Sequence, residues 1–172
     1  MKRLLLALLI AVPANASVLH LSVNQMIHPI SEEFIERGLA QAERQHDAAV
    51  ILEMSTPGGL LDSTRDIVEK IMTSPVPVIV YVAPAGSRAA SAGFFILESA
   101  DIAAMAPGTN TGAAHPVVFG EKVDDIMKAK MENDAAAFMR TIAARRGRNV
   151  AVAESAASEP QLRIRLQAQA AP

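Results

Sequence analysis

A chain of 172 residues that is 51% hydrophobic and 20% charged has the apolar side chains for one packed domain, and disorder is excluded as its overall state. Sixteen basic and eighteen acidic residues leave a formal charge of -2, which gives no electrostatic footprint for nucleic acid or an anionic lipid surface. With no cysteine, no tryptophan and 3% aromatics, the chain has no disulfide, thiolate metal site, cysteine nucleophile or base-stacking platform.

The chain opens on an address. Lys2 and Arg3 precede a short apolar run over residues 4–12, and Ala14-Asn15-Ala16 is a small-x-small cleavage signal. The run falls short of the ~20 residues that a spanning helix needs. A signal peptide over residues 1–16, removed after Ala16, is expected. It would deliver the chain to the periplasm or the outer face of a bacterial inner membrane.

Strands and helices then alternate. Val18–Val23 has period-two apolar positions, as a first strand does. Ser31 is a candidate N-cap for a helix reaching about His46. Residues 48–54 (AAVILEM) read as a buried strand, broken by Thr56-Pro57-Gly58-Gly59. Leu61, Thr64, Ile67, Val68, Ile71 and Met72 mark an amphipathic helix that Pro75 ends, and residues 76–83 (VPVIVYVA) form the next strand. This βαβ rhythm predicts a mainly parallel sheet with helices on both faces.

The second half is less regular. Residues 89–99 read as a short helix, 101–106 as a short strand and 107–116 as a loop. One long helix is expected over residues 122–146, with Gly147 as its C-cap and Arg145 and Arg146 suited to the negative end of its dipole.

Two small-residue breaks lie where a strand gives way to a helix. Thr56-Pro57-Gly58-Gly59 is either an ordinary Pro-Gly turn or a backbone nest whose N–H groups hold an anion. In Ala89-Ala90-Ser91-Ala92-Gly93, Ser91 is either a helix cap or an exposed nucleophile backed by the helix dipole. A nucleophilic serine needs a base. His115 has no acidic neighbour in sequence to orient it, although the fold could bring one in. Lys130 shares a helical face with Ile126, Met127 and Phe138, with Asp134 as a polar interruption. It is either a snorkelling lysine or a buried one, and burial favours the neutral amine that a general base requires. Lys128, flanked by Asp124, Asp125 and Glu132 at helical spacing, reads as a solvated, paired lysine. The four histidines make no metal-ligand spacing.

Taken in order, EMSTPGGLLDS (residues 53–63), VIVYVAPAGSRAASAG (78–93), MAPGTNTGAAHP (105–116) and the stretch 130–149 resemble the N-terminal domain of the NfeD-type membrane-bound serine proteases. These are similar to the Clp protease and signal-peptide-peptidase-A group. The resemblance covers residues 18–155 and implies an α/β domain of the ClpP/crotonase ββα type, mainly parallel, with flanking helices. It implies a serine endopeptidase with Ser91 as nucleophile and Lys130 as general base. Oxyanion-hole donors would sit at Gly59 and Ala92, and substrate contact at Gly58. No cofactor or metal is implied. The implied partners are a protein or peptide substrate in apolar segments, a stomatin-like membrane protein and further copies of the chain in a homodimer or larger homo-oligomer.

Residues 156–172 depart from the family pattern and are expected to be an atypical tail, disordered or truncated, with an edge-strand alternation at 162–166. Two other classes of function fit parts of the sequence. One is a catalytically silent truncated scaffold that binds stomatin-like partners. The other is a crotonase-type acyl-CoA enzyme, against which the expected export and the lack of a basic site for CoA phosphates both argue.

Overall fold

The computed structural model describes residues 16–116 and 124–158, and the backbone of 163–165. In chain order its elements are β1 (Val18–Val23), α1 (Pro29–Gln45), β2 (Ala49–Met54), α2 (Leu61–Thr73), β3 (Val78–Val82), β4 (Arg88–Ala90), α3 (Ala92–Ser99), β5 (Ile102–Met105), β6 (Asn110–Gly112), α4 (Asp125–Arg145), α5 (Val150–Ser158) and β7 (Arg163–Arg165). The leader expected over residues 1–16 lies, apart from Ala16, outside the described residues.

The apolar, β-branched runs become a parallel sheet in the order β1-β2-β3-β5. In register, Leu21, Leu52 and Val80 form one buried row, and Val23, Met54 and Val82 the next. The opposite face carries His20, Ser22, Ile51, Glu53, Ile79 and Tyr81, all half-buried or exposed. Among the described residues helices therefore close one face and not the two expected. The strand order explains this, because each step moves the same way and right-handed crossovers then fall on one side.

A second sheet runs β4-β6-β7, with β4 and β6 parallel and β7 antiparallel. Sequence reading took β4 into a helix and β6 into a loop. Each is three residues of Ala, Arg, Gly, Asn or Thr, and a strand that short shows no period. Helix α5 runs on to Ser158 with Ala156 and Ala157 fully buried, past the boundary expected at residue 155. β7 falls within the edge strand expected at 162–166.

Helix α3 sits at the centre. Phe94, Phe95, Ile96 and Leu97 are all buried, so it is apolar all round, as a core helix is. Its C-terminal end is clamped from the turn after α4. Arg146 donates to the Ser99 carbonyl at 2.6 Å and to the Ile71 carbonyl of α2 at 3.3 Å, and pairs with Asp101. Arg148 donates to the Ala100 carbonyl at 2.9 Å. Arg146 thus serves the dipoles of α2 and α3, not only that of its own helix. At α1 the N-cap is His28 and not Ser31. The Ser31 hydroxyl accepts from the His28 N–H at 2.9 Å in a capping box.

Glu98, on α3, is half-buried, and burial pushes its carboxyl pKa up against the opposing charge of Arg148. A carboxyl raised on folding adds stability only while protonated, and that contribution is lost as pH rises through its folded pKa. Glu98→Gln should therefore raise the melting temperature at neutral pH by a few degrees, with the gain vanishing in acid. Melts of both proteins across pH check this.

Candidate active site

Ser91 occupies the turn from β4 into α3 with φ 50 and ψ -115, a backbone conformation that costs a non-glycine residue energy. The turn persists because both sides are held. The Ser91 N–H donates to the Gly112 carbonyl of β6 at 2.9 Å, and its carbonyl accepts from Phe94 N–H at 2.9 Å. A serine on a strained strand-to-helix turn presents its hydroxyl at the sheet edge, the geometry of a nucleophile elbow. Its side chain makes no cap hydrogen bond to the helix, so the capping alternative does not describe it.

The Thr56–Gly59 turn passes directly beside this serine. Thr56 bridges to Ala89 of β4, with Thr56 N–H on the Arg88 carbonyl at 2.7 Å and Ala90 N–H on the Thr56 carbonyl at 3.1 Å. The Thr56 hydroxyl spans the turn, 3.1 Å from both the nitrogen and the carbonyl oxygen of Gly58. Gly58 has φ 125, and a Cβ built there would stand 2.8 Å from the Ser91 Cβ and 3.3 Å from its Oγ. On the far side, Ile27 N–H donates to the Gly58 carbonyl at 2.8 Å and Leu60 N–H to the Ile27 carbonyl at 2.9 Å. Gly59 is pressed so closely on Ile27 that a Cβ would fall 2.0 Å from its carbonyl oxygen. Among the described residues no hydrogen bond engages the N–H of Gly59 or of Ala92. Thr56 is the site residue that sequence reading left without a role. Its signal was a threonine two residues before the glycine it must tie.

Lys130 stands differently from its sequence reading. Residues 124–130 of α4 and the turn before it are exposed throughout, with Ile126 71% and Met127 48% exposed, and burial in the helix begins only at Ala135. Spacing shows which residues share a face, not whether anything covers it. At the other end of that face, Phe138 stacks on Phe95 with ring centres 5.5 Å apart, and the Arg65 guanidinium lies 4.3 Å above Phe138. Arg65 also pairs with Asp134 at 2.5 Å. Among the described residues Lys130 has no ion-pair partner, and no hydrogen bond joins it to Ser91. Lys128 lies 3.9 Å from Glu132, as the paired lysine does in the sequence reading.

His115 does gain an acidic partner through the fold. Its Nε2 lies 3.3 Å from a carboxylate oxygen of Glu132, and its side chain is 13% exposed. That pairing joins a loop to a distant helix and has no sequence signature. Among the described residues no cluster of three or more histidine, aspartate or glutamate side chains could hold a metal ion.

The family model of the NfeD1b N-terminal domain matches residues 17–170. The membrane-bound protease PH1510 of Pyrococcus horikoshii is 33% identical over 162 residues, covering 90% of this chain and 37% of that protein. The membrane protein NfeD1b of Bacillus subtilis is 39% identical over 108 residues, covering 59% of this chain and 24% of that protein. The chain therefore spans about a quarter to just over a third of the length of these curated relatives. A lysine-to-alanine variant of the P. horikoshii 1510-N membrane-bound stomatin-specific protease, solved with a substrate peptide, superposes with a TM-score of 0.81 at 31% identity, covering 88% of this chain and 70% of that one. A serine-to-alanine variant of the same protease gives 0.79 at 32% identity, covering 88% and 74%. ClpP1 of Listeria monocytogenes, 16% identical with a TM-score of 0.66 over 86% of this chain and 82% of that one, shows the shared fold. The chain is a ClpP-like α/β domain and belongs to the NfeD1b N-terminal domain family.

Proposed function

We propose that this domain is a serine endopeptidase in which Ser91 attacks a peptide carbonyl and Lys130 accepts its proton. The observation that carries the reading is the strained Ser91 turn with the Gly58 backbone packed against its side chain. The unengaged N–H groups of Gly59 and Ala92 serve as oxyanion donors, each worth roughly 3 kcal/mol of barrier. Lys130 returns the proton to the leaving amine, and water attacks the acyl-enzyme with the same base. Related solved proteases, studied as serine and lysine variants and named as stomatin-specific, support the pairing of residue types and a stomatin-like substrate.

Gly58 lines the substrate side of the turn, beside the exposed Leu60 and Leu61 and near Met26, the neighbour of Ile27. That surface favours apolar segments. The exposed Ile126 and Met127 are the positions where substrate or a second copy of the chain, in a homodimer or larger homo-oligomer, would cover Lys130. Both curated relatives are named as membrane proteins, and no helix among the described residues is long and apolar enough to cross a membrane. Export with removal of the leader after Ala16 would place the domain in the periplasm or on the outer face of the inner membrane. N-terminal sequencing of the exported protein should then begin at Ser17.

Cleavage of a peptide with an apolar stretch, followed by mass spectrometry, tests the activity. Cleavage by this chain and none by Ser91→Ala is expected. Equal cleavage by both proteins would reject the reading.

A further inference from the structure

We propose that His115 and Glu132 are a positioning couple that holds the Lys130 helix in register with Ser91. The inference rests on the Ser–Lys reading above and adds two residues to it. Three observations carry it.

First, the loop that bears His115 is continuous with the backbone that holds the nucleophile. β6 ends at Gly112, whose carbonyl accepts the Ser91 N–H at 2.9 Å. His115 follows three residues later, after Ala113 in a left-handed conformation (φ 51) and Ala114, whose N–H donates to the Ala156 carbonyl of α5 at 3.0 Å. The loop is thus fastened at both of its neighbours.

Second, Glu132 lies on α4 two residues beyond Lys130, in the part of the helix that precedes its buried segment. Among the described residues, side-chain ion pairs tie this part to the body at two places. One is His115–Glu132 and the other Arg65–Asp134. The first is the nearer to Lys130 in sequence and the one that leads back to Ser91.

Third, the imidazole is largely enclosed and its polarity is set by its surroundings. Nδ1 is buried with no hydrogen-bond partner among the described residues. With the proton on Nε2, which faces the Glu132 carboxylate, Nδ1 is left a bare lone pair, whereas a proton on Nδ1 would leave a buried donor unmet. Lys128 Nζ, 3.9 Å from the same carboxylate oxygen, is the other charged group facing the pair. His115 therefore acts through the helix, by its contact with the Glu132 carboxylate, and not as a base on Ser91.

Acylation by an activated aryl ester at saturating concentration, with its half-saturating concentration measured separately, tests the couple in the full chain. His115→Ala and Glu132→Ala should each slow acylation about tenfold, the scale of a small misplacement of a catalytic group, with half-saturation unchanged. The double variant should be no slower than either single one. His115→Gln, which keeps a donor near the Nε2 position, should recover most of the rate even where His115→Ala folds poorly. Lys130→Ala run alongside separates the two claims. If it is inactive while His115→Ala and Glu132→Ala acylate at the parent rate, the couple is overturned and the dyad stands. Additive losses in the double variant likewise overturn the couple. If Lys130→Ala acylates normally and His115→Ala does not, the dyad falls, and the positioning role with it.

Discussion

Lys130→Ala is expected to reduce acylation of Ser91 at neutral pH by about 10²- to 10⁴-fold, the range for loss of a positioned general base. Only a neutral amine accepts the serine proton, and an alanine at 130 offers no acceptor. Lys128→Ala is the comparator. Its contact with Glu132 is long and exposed, and an exposed helical pair of this kind contributes about 0.3–0.5 kcal/mol, so its rate should stay within about twofold of the parent. Stopped-flow acylation at neutral pH measures all three proteins. Parent-like kinetics in Lys130→Ala would remove lysine from the mechanism.

Gly58→Ala should be nearly as damaging by a different route. The new methyl would sit 2.8 Å from the Ser91 Cβ, closer than side-chain carbons pack, and 3.3 Å from its Oγ, which is tight. Ser91 cannot swing away, because the atom met is its Cβ and its backbone is fixed by Gly112 and Phe94. The turn must move instead, and at φ 125 an alanine is strained wherever it goes. Displacing one oxyanion donor costs about 10²- to 10³-fold in rate. Gly86→Ala separates strain from obstruction. Gly86 also has a positive φ, 86, but a Cβ there meets nothing within 4 Å. It should lower the melting temperature slightly and leave acylation intact. Equal effects on acylation from the two alanines would show that crowding at Ser91 is not the cause.

The parts of this molecule that were legible beforehand are those whose physics is local. β2 and β3 are dominated by apolar, β-branched residues, α2 has one apolar stripe, and a proline follows each of the three within three residues. The break at Ser91 was legible as a run of small residues, but its strand β4 and the positive φ of Ser91 were not, because small residues leave many conformations open. What escaped was set by distant contacts. α5 is a stretch of Val, Ala, Ser and Glu with no marked stripe, and it is a helix because Ala153, Ala156 and Ala157 pack into the core. The couple of His115 and Glu132 exists only because β6 and α4 are brought together. Lys130 shows the limit most clearly. Its neighbours Ile126 and Met127 are apolar, yet the chain by itself leaves them in solvent.

The claim that organises the rest is that Ser91 is the nucleophile, and one measurement addresses it directly. The folded chain is treated with a fluorophosphonate, and its intact mass and proteolytic fragments are read by mass spectrometry. The account predicts a single adduct on the fragment containing Ser91, absent from Ser91→Ala. A folded chain that takes no adduct, or takes it on Ser87 with Ser91 unmodified, would contradict it.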